Sequence, residues 1–484
     1  MRECDVLIIG GGPGGLAAAC AAKKEGAGSV IVLERDKRAG GILNQCIHNG
    51  FGLIRYNLEL TGPEYAARAI LEAEQAGAEI LCSRHVSDIS KADNGYCISA
   101  YTRDGIEKYL AKTIVLATGC RERTRGNISI PGSRPAGVFT AGVAQNLVNV
   151  RNVMIGKRVV ILGSGDIGLI MARRLTYEGA KVLAIAEIMP QPTGLARNVS
   201  QCVQEFGIPL YVKTTVSKII GKDRLEAVEL SDLDEKGKVI PGTARRIECD
   251  TLVLSVGLIP ENEVAQTAGV QLMPNNSVNT DKYLQTNVSG VFSCGNSRHV
   301  MDLADYVSEQ GEMAGRNAVH LIKGEAMESW DEEKSNCMKK GFPEEGSVTC
   351  TICPNGCQVK YDEKTGETTG NRCLRGKRFA IQERTAPTRT VTTTVKTTVG
   401  EDCLLPVRTA DKIPKDQVQS LIGQLRSVVV NEDTTIGDTR DKKSRTFSSN
   451  SQRSHILRTS SRSRRLILSS IVSFAVWLKC TRTI

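Results

Sequence analysis

The sequence predicts an α/β protein with two doubly wound parallel-sheet units, followed by a small cysteine-rich β region. Three observations carry this expectation. Residues 1 to about 330 alternate short apolar runs with helical stretches and place glycines at the junctions, the pattern of parallel sheets. Within that span one strand–turn–helix signature occurs twice with the same internal spacing. Finally, four of the sixteen cysteines crowd into residues 350–373, while the other twelve are scattered. A chain of 484 residues is too long for one ordinary core, so two to four units are expected.

The first signature sits almost at the start. The apolar run Asp5-Val-Leu-Ile-Ile9 leads into GGGPGG, Gly10 to Gly15, and an alanine-rich helix is expected over 16–24. In the pattern G-x-G-x-x-G, Gly10 permits the tight turn, Gly12 lets backbone approach a pyrophosphate, and Gly15 lets the helix pack on the strand. Pro13 and Gly14 complete the turn, where free N–H groups and the positive end of the helix dipole face phosphate. A second strand over 29–33 ends at Glu34, nineteen residues past Gly15 and placed to accept both hydroxyls of an adenosine ribose. A glycine triplet alone is common in turns. Strand, helix and acid together point to a dinucleotide.

The second signature repeats the first. Residues 157–162 run into GSGDIG, with Gly163, Gly165, Asp166, Ile167 and Gly168 in the turn, and a helix over 169–178 follows. The next strand, 181–186, ends at Glu187, again nineteen residues beyond the last glycine. Two Rossmann-type units are therefore expected. The Glu187 carboxylate would repel a 2′-phosphate, and no arginine occurs in 188–194, so NAD(H) is favoured over NADP(H). In the plainer alternative Glu187 only caps its strand.

Further motifs resemble those of the pyridine nucleotide–disulfide oxidoreductase superfamily. Thr113-Ile-Val-Leu-Ala117-Thr118-Gly119 is similar to its crossover strand, and Asp250-Thr-Leu-Val-Leu-Ser-Val-Gly257, with Leu258-Ile-Pro-Glu261, to the counterpart in the second unit. Thr286-Asn-Val-Ser-Gly-Val-Phe-Ser-Cys-Gly295-Asn296 is similar to its second flavin motif. The resemblance spans about 330 residues. It implies an NAD domain inserted in an FAD domain, with FAD on the first turn and contacts from Arg35, Gly41, Ala117–Gly119, Gly295 and Asn296. The domains would then be 1–120 and 258–330 for FAD and 121–257 for NAD. Two departures stand out. Asn296 replaces the family's usual acid on the ribityl chain, where an amide oxygen can still accept from a hydroxyl. No C-x2-C or C-x4-C pair precedes Cys350; the loop that holds the redox dithiol in disulfide reductases reads Gly40-Gly-Ile-Leu-Asn-Gln-Cys46-Ile-His48. A lone thiol cannot close an intramolecular disulfide, so thioredoxin- or glutathione-reductase activity is not expected. Cys46 and His48 are candidate substrate or acid/base groups beside the flavin, or simply pocket lining. A helix over 303–321 should aim its N-terminus at the flavin.

Behind a polar connector, residues 346–437 carry Cys350-Thr-Ile-Cys353-Pro-Asn-Gly-Cys357 and, after fifteen intervening residues, Cys373. Four thiolates so close form a metal cage. Structural zinc usually takes two C-x2–4-C pairs, whereas three close cysteines and a distant fourth suit a 4Fe–4S cluster; zinc and no metal remain alternatives. The module resembles the cluster segment of molybdopterin oxidoreductases. It more closely resembles a small four-cysteine domain associated with anaerobic glycerol-3-phosphate dehydrogenase systems.

The resemblances imply a flavoprotein oxidoreductase that passes electrons between NADH, FAD and the cluster, with a small-molecule substrate or a redox-partner subunit, as a homodimer or within a multi-subunit dehydrogenase. The competing expectation is a flavin-binding scaffold with a zinc-stapled docking piece. Charge argues against nucleic acid. Residues 1–439 carry 52 basic and 52 acidic side chains, so the whole surplus of +10 lies from Arg440 onward, within a Ser/Arg-rich tail over 438–484 that is expected to be disordered. Its apolar stretch, 466–478, has 13 residues, too short to span a bilayer, which leaves at most peripheral attachment. A non-native terminus is the other reading of this tail. Free cysteines and the lack of a signal layout point to a reducing cytoplasm.

Overall fold

The computed structural model describes residues 1–332, 338, 340–400, 403–432 and 434, and the backbone alone of 439–440, 466–468 and 476–480. The elements that position the site are, in chain order, β1 (Arg2–Ile9), α1 (Pro13–Lys24), β2 (Val30–Leu33), β3 (Gly105–Leu116), β4 (Arg158–Leu162), α2 (Asp166–Tyr177), β5 (Lys181–Ala186), α3 (Ala196–Cys202), β6 (Thr251–Leu254), β7 (Val291–Ser293), α4 (Ala304–Lys323) and α5 (Leu374–Thr385). The chain divides into two compact units. One joins Met1–Arg121 to Leu258–Cys337, and the other joins Glu122–Gly257 to Met338–Ile484.

In the first unit β2, β1, β3 and β7 lie side by side and parallel, with Glu79–Leu81 beyond β2. Two antiparallel strands, Gly95–Thr102 and His85–Ala92, extend the sheet past β3. The last four residues of β1 are all buried, as a sheet covered on both faces requires. Helix α1 forms because alanines dominate it, Pro13 starts it with φ preset, and Lys23 and Lys24 favour the negative end of its dipole. Its apolar face is covered by α4, and the approach is backbone to backbone. A Cβ on Gly311 would stand 2.1 Å from the Gly14 carbonyl oxygen, and one on Gly315 would stand 2.2 Å from that of Ala18. Glycine one turn apart on α4, against small residues on α1, is the only chemistry that fits this crossing.

In the second unit a five-stranded parallel sheet runs Val138–Thr140, β6, β4, β5, Leu210–Tyr211. The region after 338 packs onto this unit. The buried guanidinium of Arg174 in α2 donates to Asn149 at 2.8 Å, to Glu178, and to the Thr393 and Thr394 hydroxyls at 3.2 and 3.1 Å. Tyr177 and Phe206 join an apolar cluster with Val391, Leu405, Val407 and Ile422. The expected β region also holds two helices, α5 and Val418–Leu425. Of the basic tail, only the backbone of three short strands is described, and Val476–Cys480 pairs antiparallel with Leu404–Thr409; the disorder expected there otherwise concerns residues outside the described ones. Among the described residues no helix is long and apolar enough to cross a membrane.

Candidate functional site

At the carboxyl ends of β1, β2 and β3 the glycine turn takes its shape from contacts that only glycine allows. Gly10 has φ +108°, and a Cβ there would meet the Ala117 carbonyl oxygen at 2.3 Å; on Gly15 it would meet that of Gly10 at 1.9 Å. Gly12 differs. A Cβ there finds nothing within 4 Å, so the face a pyrophosphate would occupy is open. Pro13 starts α1 with no acid in the first turn and no side-chain cap, leaving the Gly14 and Gly15 N–H groups for a ligand. Glu34 is buried; its carboxylate accepts from the Gly11 and Asp36 N–H groups, each at 2.8 Å. Burial nevertheless raises its carboxyl above the ordinary range.

The other expected flavin-side residues gather at this edge. The Gly40 N–H donates to the Gly11 carbonyl at 2.7 Å, and Gly41, at φ +54°, would bring a Cβ to 3.1 Å from the Gly12 Cα. Arg35 pairs with Glu261 at 3.0 Å. Thr118 donates to Asn262 at 3.2 Å, and Gly119 takes φ +73°. The Gly295 N–H donates to the buried Gln310 side chain at 2.7 Å. Asn296 accepts from the Met301 N–H at 3.1 Å and donates to the Cys120 sulfur at 3.4 Å. Cys294, one residue before Gly295, is buried, and its thiol is pushed up to about 12, which removes it from thiolate chemistry.

Cys46 and His48 follow the short 3₁₀ turn Gly41–Gln45. Cys46 is buried and its carbonyl accepts from the Gly62 N–H at 2.9 Å. His48 is half-buried, with Nδ1 at 3.2 Å from the Asn49 carbonyl and its ring 4.9 Å from that of Phe51. A residue missing from the sequence reading holds the segment that follows. Asp305, 4% exposed in the first turn of α4, accepts from the Arg55 N–H at 2.9 Å and the Gly52 N–H at 3.2 Å. Arg55 in turn pairs with Glu312 of α4 at 2.6 Å.

The second turn repeats the first. Gly163 has φ +96°, and a Cβ there would stand 2.0 Å from the Ser255 carbonyl oxygen; one on Gly168 would stand 2.8 Å from that of Gly163. Gly165 is again the looser position, its nearest contact 3.5 Å away. Ile167 packs on the apolar core behind the turn. Buried Glu187 accepts from the Ser164 and Met189 N–H groups, each at 2.9 Å. The Ser164 hydroxyl, unremarked in the sequence, donates to the same carboxylate. Asp166 accepts from the Leu195 N–H at 2.8 Å and the Asn198 amide at 2.7 Å, tying the turn to the start of α3. Gly163, Glu187 and Gly257 line one cavity of about 560 Å³, together with Met189, Thr193, Ser255 and Arg123. Arg123 escaped notice because it lies 40 residues before Gly163. Its backbone N–H reaches the Gly257 carbonyl at 3.0 Å.

The four clustered cysteines surround the start of α5. Cys350 is buried, and its N–H donates to the Cys357 carbonyl at 2.8 Å. Burial pushes the Cys350 thiol up to about 11, and Cys353, Cys357 and Cys373 nearby add to the rise. Cys373 is exposed at the N-cap of α5, where the Gly376 and Arg375 N–H groups hold its thiol below the ordinary value. A Cβ on Gly376 would be 3.8 Å from the Cys350 sulfur. The set fits a metal centre in donor chemistry. No three of these sulfurs lie within 4.8 Å of one another. The same loop touches the nucleotide side of its unit: a Cβ on Gly356 would come within 3.7 Å of the Arg197 nitrogen in α3.

Residues 4–311 match the family model for pyridine nucleotide-disulphide oxidoreductases. The chain belongs to that family. Its members bind FAD and NAD(P), and this chain is an oxidoreductase with the family's paired Rossmann domains. The chain is 24% identical over 335 residues to an opine oxidase subunit of Agrobacterium tumefaciens (strain Ach5), covering 65% of this chain and 64% of that one. It is 27% identical over 336 residues to the CoA-dependent NAD(P)H sulfur oxidoreductase of Pyrococcus abyssi (strain GE5 / Orsay), covering 64% and 69%. The match thus spans about two thirds of the length of these two relatives. The solved thioredoxin reductase of T. acidophilum superposes with a TM-score of 0.54 at 25% identity, over 67% of this chain and 99% of that one. Within the disulphide oxidoreductase family this chain keeps both nucleotide turns but has no dithiol ahead of Cys350. Residues 374–439 match a second model, a protein of unknown function (DUF1667). That match begins one residue past Cys373, so the domain is present, but the match does not include the four thiols.

Proposed function

We propose that the chain is an FAD-dependent NADH oxidoreductase that exchanges electrons between a nicotinamide nucleotide, FAD and a 4Fe–4S centre. Residues 1–120 and 258–330 would hold FAD on Gly10, Gly12, Pro13, Gly14, Gly15, Glu34, Arg35, Gly41, Ala117, Thr118, Gly119, Gly295 and Asn296. Residues 121–257 would hold NAD(H) on Gly163, Gly165, Asp166, Ile167, Gly168, Glu187 and Gly257, and residues 346–437 the cluster on Cys350, Cys353, Cys357 and Cys373. The observation that carries this reading is the pair of turns, each closed by glycine at its first and last positions, looser at the middle one, and backed by a buried glutamate.

When bound, FAD supplies the exchange between hydride transfer and single-electron transfer. The protein's own part is to bind and orient. Helix α1 presents unclaimed N–H groups, and Glu187 reads a ribose and disfavours a 2′-phosphate. His48, with Nδ1 directed at the Asn49 carbonyl, would take or give a proton through Nε2 to a small alcohol or amine, with Cys46 beside it. The likeness to an opine oxidase subunit supports a place in an amine/opine dehydrogenase system, with a partner subunit as electron acceptor or donor; a glycerol-3-phosphate dehydrogenase system is the other candidate, on the resemblance of the cysteine module alone.

Anaerobic purification with flavin, iron and acid-labile sulfide assays, followed by NADH titration, tests the reading. It expects about one FAD, about four iron and about four sulfide per chain, and flavin absorption bleached by NADH. A protein that contains zinc without sulfide, or a flavin indifferent to NADH, overturns it in favour of a flavin-bearing scaffold.

A further inference from the structure

Between Glu367 and Glu383 the sequence has no acid but carries Arg372, Arg375, Lys377 and Arg378, in a chain whose first 439 residues balance. Arg372, Arg375 and Arg378 are exposed and Lys377 is half-buried. None of the four pairs with a carboxylate among the described residues. Arg389 of the same region, by contrast, is held by Glu205 at 2.8 Å and Glu383 at 2.6 Å. Where arginine serves stability here, it is saturated. These four are not.

Their position sharpens the contrast. They surround Cys373, the exposed member of the thiol set, and Leu374, which is 71% exposed. The first turn of α5 contains no acid, so its cations repel one another and oppose the helix dipole. A solvated surface gains nothing from that arrangement. An acidic surface laid against it would relieve the repulsion, cover the leucine, and stop directly over the metal-side cysteine. An apolar centre with a charged rim is the layout of a small, fast-exchanging interface.

We propose that this rim docks an acidic one-electron carrier protein at the cysteine centre. The electron traffic rests on the function proposed above; the docking does not. The overall exchange balances as NADH with two oxidised carriers giving NAD⁺, a proton and two carriers reduced by one electron each, and it runs in either direction.

The probe is a plant-type ferredoxin, with basic cytochrome c as the contrast. Calorimetric titration of the full, metal-loaded chain should show ferredoxin binding that weakens steeply with salt, and no comparable binding of cytochrome c. In the double variant Arg372→Glu/Arg378→Glu, ferredoxin affinity should fall on the order of 30-fold at low salt. NAD⁺ reduction by reduced ferredoxin should fall with it, while iron content and flavin bleaching by NADH stay as in the parent. Unchanged affinity and salt dependence in the variant overturn the proposal. Loss of iron in the variant also overturns it, because the cations then compensate the centre's own charge. A parent chain without iron that still binds ferredoxin through these arginines overturns the function proposed above and upholds the docking surface.

Discussion

Laid over one another, the two glycine turns share their logic down to the hydrogen bond. In each, a buried glutamate takes the N–H of the residue after the first glycine and the N–H two residues beyond itself, at 2.8 Å in the first turn and 2.9 Å in the second. They part at the helix start. Helix α1 opens with Pro13 and carries no acid in its first turn. Helix α2 opens with Asp166, whose carboxylate is already engaged by the loop before α3. A negative charge at a helix N-terminus satisfies the same dipole that would otherwise attract phosphate. On the function proposed above, the first turn would retain a pyrophosphate tightly, and the second would take a nucleotide that arrives and leaves. This division matches a resident flavin and an exchanging nicotinamide.

The sharpest way to break that contrast is at the last glycine of each turn. Gly15→Ala places a methyl 1.9 Å from a backbone oxygen that cannot retreat. It should cost about 3 kcal/mol or more and yield a colourless protein by absorption. Gly168→Ala is a milder clash, its methyl 2.8 Å from the Gly163 oxygen and the Ser255 Cβ; it should keep its flavin but raise the KM for NADH on the order of 30-fold, the equivalent of about 2 kcal/mol. Next in size, Glu187→Gln turns one N–H acceptor into a donor and removes the charge facing a 2′-phosphate. The preference for NADH over NADPH in steady-state kcat/KM should shrink about tenfold. Smallest is Asp166→Asn, which keeps the acceptor oxygen for Leu195 and Asn198. Loss of its charge should tighten NAD⁺ binding by about 0.3–1 kcal/mol and slow product release in stopped-flow. Weaker binding in this variant would remove the distinction drawn between the two turns.

Most of both turns was legible in the sequence because their chemistry is local. Gly10 to Gly15 and Gly163 to Gly168 bring their own helix starts, and each glutamate lies one strand away. Where partners come from far along the chain, the sequence was silent. Asp305 reaches the segment after His48 from 250 residues downstream, and a single aspartate at a helix start carries no mark of that duty. Arg123 joins the second cavity only because a strand pairing folds it there. The interplay of Arg174 with Thr393 and Thr394 was equally hidden, since a lone arginine in an amphipathic helix reads as solvated. The four cysteines announced themselves by spacing, but not the lack, among the described residues, of carboxylate partners for the cations around Cys373, because charge pairing is decided by tertiary neighbours.

The close crossing of α4 on α1 also has a consequence in time. The ribosome makes α1 early, yet the helix that covers it ends at Lys323, about 300 residues later. At about 5–20 residues per second the nascent chain waits roughly 15 to 60 s with that alanine face bare. Flavin capture is therefore a late event in biosynthesis, and a stalled or prematurely terminated chain will present chaperones with an uncovered helix rather than a half-active enzyme.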